Sequence, residues 1–182
     1  MDESSLLLRQ IPHSIEAEQS VLGAMLIDAR CIPDVVEALT GEDFYLKANR
    51  EIYETIYTMF NFSATIDPVT VLDQMKLTGV YDENTSRSYL LQLMEITPTA
   101  ANVKEYIRIV KDKALLRRIA ETAGELTTLV QEGGETAQAV LDLAEQRVYA
   151  IRQGRSAQGL EPLSKILVDV FDQLQELSMS GS

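Results

Sequence analysis

Residues 99–134, TAANVKEYIRIVKDKALLRRIAETAGELTTLVQEGG, decide how this chain is built. At about 100° per residue, Val103, Ile107, Val110 and Ala114 fall on one face of a helix. Leu116, Ile119, Ala123, Leu126 and Val130 then fall on nearly the opposite face. A helix that changes its buried side midway packs against two different things. Gly133-Gly134 makes a turn, and Ala137, Val140, Leu141, Ala144, Val148 and Ile151 form one stripe of a second helix. The pair reads as an αα-hairpin. Two helices alone bury too little to hold themselves rigid, so the stripes need the rest of the chain, a second copy, or another protein.

Beyond the hairpin, Gln153 to Glu161 contains Gly154, Ser156 and Gly159 and reads as a hinge. Pro162 opens a last helix with Leu163, Ile166, Leu167, Val170, Phe171, Leu174 and Leu177 on one broad face. That face can fold back on the hairpin or lie in a groove on a neighbour. Ser178 to Ser182 is a frayed end.

Before the hairpin, short helices alternate with turn chemistry. Pro12 and Ser14 open a helix whose apolar side is Ile15, Leu22, Met25, Leu26 and Ala29. Gly23 inside it costs stability unless another backbone approaches closely. Pro33 starts the next helix, with Ile32, Val35, Val36 and Leu39, and Gly41 ends it. Asp43-Phe44-Tyr45 leads into a longer helix carrying Ile52, Tyr53, Ile56, Met59 and Phe60. Asp67-Pro68 is a start signal, an N-cap followed by proline at the first helical position; that helix stops near Gly79. A polar loop from Asp82 to Ser86 precedes Tyr89-Leu90 and Leu93-Met94. No period-2 alternation is sustained, so strands are not expected. The reading is all-α. A flexible start (1–11) precedes a compact multi-helix head (12–98) and an oligomerising hairpin (99–153). A hinge (154–161), a separate C-terminal helix (162–178) and a frayed end (179–182) follow.

The 182 residues carry 16 Lys and Arg against 28 Asp and Glu, a net charge of −12. That balance argues against a surface built for non-specific grip on a phosphate backbone. One Cys excludes an internal disulfide. Asp2 and Glu3 have the wrong sign for a signal peptide, and no apolar run approaches the roughly 20 residues of a membrane span. A cytoplasmic chain with no membrane role is expected. Trp is absent, which leaves little for a single-strand stacking platform.

Catalytic equipment is missing as well. No Gly-Lys pair occurs, so there is no phosphate-cradling G-x-x-x-x-G-K-[ST] loop. His13 is the only histidine, which rules out a histidine-based metal cluster; a surface or capping role suits it. Cys31 reads as a small packed residue, and Glu16 and Glu18, two apart on a helix, do not share a face. No catalytic, cofactor-binding or metal-ligating residue is assigned. Six basic residues lie between Lys104 and Arg118 (Lys104, Arg108, Lys111, Lys113, Arg117, Arg118). They suit a solvated face or contact with an acidic protein; a nucleic-acid footprint is the weaker reading, because the patch is small.

The blocks in order resemble the N-terminal domain and linker of the DnaB family of bacterial replicative helicases. Ile15-Glu16-Ala17-Glu18-Gln19 through Val21-Leu22-Gly23-Ala24 is similar to the family's opening helix. Asp43-Phe44-Tyr45, Ile52-Tyr53, and Ile66-Asp67 with Val69-Thr70-Val71 match in order and spacing. The strongest block is Thr99-Ala100-Ala101-Asn102-Val103, with Tyr106, Ile109-Val110, Lys113 and Ala114-Leu115-Leu116-Arg117-Arg118. Residues 165–177 look like the linker helix. The chain departs from the family at Ile11-Pro12, where Pro-Pro is usual, and at Asn49, where His is usual. The ATPase domain with its phosphate loop is also absent from this sequence.

The resemblance implies a collar that mediates self-association, as a dimer, a trimer of dimers or a hexamer, and that docks primase. A helicase loader is a further candidate partner. Self-association is expected through Leu126, Val130, Leu141, Val148 and Ile151. Primase contact is assigned to Glu16, Tyr89, Arg117 and Leu126. Docking on a neighbouring subunit's ATPase domain falls to Leu163, Ile166, Leu167, Val170, Phe171 and Leu174. ATP, magnesium, duplex unwinding and DNA contact belong to a longer parent protein, with no cofactor and no enzyme activity in this stretch. The alternative is the helicase-binding domain of primase, which is helical and similar in build; a direct DNA-binding module ranks third.

Overall fold

The computed structural model describes residues 11–154. The expected linker helix, with Leu163, Ile166, Leu167, Val170, Phe171 and Leu174, lies outside the described residues, as do residues 1–10 and most of the hinge. The described part is helical without strands: α1 (Ile15–Ile27), α2 (Ile32–Ala38), α3 (Lys47–Asn61), α4 (Pro68–Thr78), α5 (Ser86–Ile96), α6 (Val103–Glu132) and α7 (Ala137–Arg152). Two compact units meet between Arg117 and Arg118. The first is called the head here, the second the hairpin.

α1 is the axis of the head. Ser14 caps it by accepting from the Ala17 amide, and every residue from Val21 to Leu26 is buried. A helix apolar on all sides belongs inside a core, and α1 packs against α5, α3 and the short turn Ala29–Cys31. Gly23 shows why the α1–α5 contact is so close. A Cβ at that position would stand 2.3 Å from the Leu93 carbonyl oxygen and 2.2 Å from Thr97 Oγ1. The close approach that justifies a mid-helix glycine is therefore present. Ala29, expected on the apolar side of α1, instead sits exposed in the turn after it, because the helix has already ended at Asp28.

The remaining head elements follow their local signals. Asp67 Oδ1 accepts from the Val69 and Thr70 amides at 2.8 and 2.9 Å, and Thr70 Oγ1 accepts from the Asp67 amide. This reciprocal cap starts α4, and Gly79 at φ 76° ends it. α3 buries Ile52, Tyr53, Ile56 and Met59, while Phe60 stays 36% exposed at the edge. The long helix begins at Val103 rather than Thr99; Thr99 Oγ1 accepts from the Ala101 amide, so the preceding residues form a turn. On α6 the buried residues are Val103, Ile107, Val110, Ala114 and Arg117. This is the expected first face, extended by one arginine.

In the hairpin unit, Gly133 takes φ 64°, a conformation glycine tolerates. Thr136 then caps α7 by accepting from the Ala139 amide. No residue of α7 is buried. The two helices are tied by Arg147 donating to Glu125 at 2.9 Å, and Leu126, Leu129, Leu143 and Ile151 are half-buried.

Candidate functional site

The hairpin carries two apolar stripes with alternating spacings of three and four residues, the signature of helices that pair in bundles. One runs along α6 through Ile119, Ala123, Leu126 and Val130, with Leu116 just before the unit boundary, the other through Ala137, Leu141, Ala144, Val148 and Ile151. Neither is covered. Leu116, Ile119, Val130, Leu141 and Val148 are between 47% and 67% exposed. Of the five expected self-association residues, Val130, Leu141 and Val148 are thus open, and Leu126 and Ile151 are half-buried. Against α7 a shallow apolar concavity is lined by Ala144, Val148 and Tyr149, with Glu145 and Arg152.

The head presents a different arrangement. Glu18 is 2% exposed and carries its carboxylate into the interior. Oε1 accepts from the Tyr45 amide at 2.7 Å, and Oε2 accepts from Asn49 Nδ2 at 2.8 Å and from the Leu46 amide. Asn49 Oδ1 in turn accepts from the Tyr89 hydroxyl at 2.6 Å, which itself accepts from Gln19 Nε2. A buried carboxylate without this set of donors would cost several kcal/mol, on the order of the penalty for an unpaired interior charge. Burial pushes the Tyr89 hydroxyl above its usual range, with Glu18 adding to the effect. The sequence carried a signal that went unread: Glu18 shares a helical face with Leu22 and Met25.

Arg117 also departs from its expected place. Assigned to a docking surface, it is only 9% exposed, and its two terminal nitrogens donate to the carbonyls of Pro12 and Asp43. Its guanidinium lies 5.7 Å from the Tyr45 ring, which stacks on His13 at 4.4 Å. Arg117 therefore fastens the chain entry and the 43–45 loop to α6. Its charge tolerates burial because both donating arms are satisfied. Among the other residues assigned to primase, Glu16 is exposed, Tyr89 is half-buried, and Leu126 belongs to the hairpin unit.

Two residues of the basic stretch form surface ion pairs. Lys104 reaches Asp34 at 3.7 Å, and Arg108 bonds to both Glu105 and Asp112. Arg117 is internal, so the part of the stretch that faces solvent is smaller than the sequence suggested. Glu105, beside the Arg108 guanidinium, is held below the usual carboxylate range.

The family model for the DnaB-like helicase N terminal domain matches residues 10–112. This chain belongs to that family. The replicative DNA helicase DnaB of Mycobacterium leprae is 34% identical over 175 residues, 95% of this chain and 29% of that protein. The DnaB of Geobacillus stearothermophilus is 34% identical over 169 residues, 91% of this chain and 37% of that protein. The chain thus spans about a third of the length of these relatives.

Among solved structures, the N-terminal domain of DnaB helicase from Mycobacterium tuberculosis matches with a TM-score of 0.72 and 37% identity. It covers 77% of this chain and 99% of that one. The N-terminal domain of DnaB helicase from Helicobacter pylori, described together with its interactions with primase, shares the fold at a TM-score of 0.56 and 19% identity. There the match covers 72% of this chain and 99% of that one. The family and these relatives agree with the first of the sequence readings, the N-terminal domain of the DnaB family. Among the described residues no helix is long and apolar enough to cross a membrane.

Proposed function

We propose that this DnaB-like chain acts as the collar of a replicative helicase, associating with copies of itself through the hairpin and docking primase. The observation that carries the reading is the pair of uncovered heptad stripes on α6 and α7. Covering Leu116, Ile119, Val130, Leu141 and Val148, each about half exposed, returns on the order of 1 kcal/mol per side chain. Two copies together supply about 10 kcal/mol, against an association cost of about 4–15 kcal/mol. Terms this close in size suit a weak, concentration-dependent dimer, which further contacts would assemble into a trimer of dimers or a hexamer.

Primase docking draws support from the Helicobacter pylori domain's described interactions with primase. Exposed Glu16 and half-buried Tyr89 are the residues offered for it, with Leu126 on the hairpin. In the longer parent, ATP and magnesium would drive duplex unwinding in a motor domain, and residues 163–174 would dock on the neighbouring motor.

Sedimentation equilibrium on Val130→Asp combined with Val148→Asp tests the self-association. The substituted chain should lose association while its helical circular dichroism is kept. Unchanged association would overturn the hairpin as the interface. For primase, Tyr89→Ala and Glu16→Lys should weaken binding of its helicase-binding domain, measured by calorimetry, and unaltered affinity would remove them from the contact.

A further inference from the structure

Upstream of Ile11 the sequence places Leu6-Leu7-Leu8 behind the acidic pair Asp2-Glu3. A run of three leucines on a soluble chain calls for a surface to lie on. The point from which it leaves the head is fixed: Arg117 donates to the Pro12 carbonyl at 2.8 Å, and His13 stacks on Tyr45 at 4.4 Å. At about 3.4 Å per residue, Leu8 stays within roughly 14 Å of Pro12 and Leu6 within roughly 20 Å. The leucines are thereby tethered to the middle of α6.

That part of α6 has an uncovered flank beside Arg117. Ile109, Lys113 and Leu116 are spaced by four and three residues, so they line up along one edge of the face that α6 buries in the head. Ile109 packs against the rim of the core, Lys113 is half-buried and Leu116 is 47% exposed. Asp112 next to them is held by Arg108 at 2.9 Å, and Lys113 makes no ion pair among the described residues. All of these residues belong to the head unit.

We propose that residues 2–8 dock on this flank of their own chain, with the leucines against Leu116 and Ile109. The carboxylates of Asp2 and Glu3 are drawn to the basic stretch of α6 that includes Lys113. The tether decides the occupant. It holds the leucines at an effective concentration on the order of millimolar, above that of a second copy or another protein in solution. Leu116 stands at the head end of the stripe that continues through Ile119, so the docked segment shields the start of that stripe from a second copy. The shielding rests on self-association through the hairpin; the docking does not.

NOE spectra of the whole chain with labelled leucine methyl groups test the docking. Cross-peaks should join Leu6 or Leu8 to Leu116 within one chain. They should persist in Val148→Asp, where association is lost, and lose intensity in Lys113→Glu. Absent cross-peaks, or cross-peaks found only between differently labelled copies, would overturn the docking. Sedimentation equilibrium tests the shielding: Leu6→Ser combined with Leu8→Ser should tighten self-association on the order of 3-fold, as expected for freeing part of one leucine. An unchanged association constant would overturn the shielding. A chain that stays monomeric while the cross-peaks are present would overturn the hairpin reading and leave the docking standing.

Discussion

In the head, buried apolar side chains run from Ala17 on α1 to Ala114 on α6, and Val21, Leu22, Phe44 and Ile56 have no exposure at all. In the hairpin, Val130, Leu141 and Val148 are more than half exposed, and α7 buries nothing. The difference lies in how many neighbours each apolar face has. α1 is surrounded, so its whole circumference is covered. Among the described residues α7 has one partner helix, and its stripe is only partly covered. Substitutions in the head should act on folding, and substitutions on the hairpin stripes on association.

The largest effect is expected at Phe44. Phe44→Ala removes a fully buried ring that packs 4.9 Å from Tyr53 and should cost about 3–5 kcal/mol in thermal or urea unfolding. Gly23→Ala should follow at about 1–3 kcal/mol. Its methyl would collide with the Leu93 carbonyl and Thr97, neither of which can give way without parting α1 from α5. Arg117→Met should cost about 1–3 kcal/mol by orphaning the Pro12 and Asp43 carbonyls, and Arg117→Lys should recover part of it. A neutral result at Arg117 would return it to the surface role the sequence suggested.

On the hairpin side, Leu141→Ala should change unfolding of the dilute chain by less than about 0.5 kcal/mol, while raising the concentration needed for association. A loss as large as that at Phe44 would erase the contrast between the regions. Cys31 offers the smallest readout. Burial, reinforced by Asp28, pushes its thiol from 9.0 to about 11. The folded state thus favours the protonated thiol, a contribution complete below about pH 9 and lost as pH rises towards 11. Iodoacetamide at pH 8 should modify Cys31 only as fast as the head opens, and rapid labelling of the folded chain would contradict its burial.

How much of this was legible depended on whether the controlling interaction was local. Asp67-Pro68 and Gly79 bracket α4 as read, because capping needs only neighbours in sequence. The first face of α6, Val103, Ile107, Val110 and Ala114, was legible for the same reason, since periodicity records which side is buried. Gly23 announced a close approach without saying to what; Leu93 and Thr97 lie some seventy residues on. Arg117 misled because a charged residue in a basic run looks solvated. Its carbonyl acceptors at Pro12 and Asp43 are distant in sequence. The Glu18–Asn49–Tyr89 chain of hydrogen bonds was hidden likewise, although a carboxylate on an apolar stripe was there to be noticed. Asn49 stands where the family resemblance led us to expect His, and it donates to the buried carboxylate and accepts from the tyrosine at once.

A hairpin completed by a second copy gives the chain a mass in solution that depends on concentration. Light scattering behind a sizing column, across a wide range of loading concentration, tests it most directly. The mass should rise with concentration from one chain towards two or more, and Val148→Asp should hold it at one. A strict monomer at the highest concentration would contradict the account, because the exposed stripes would then need no second copy to cover them.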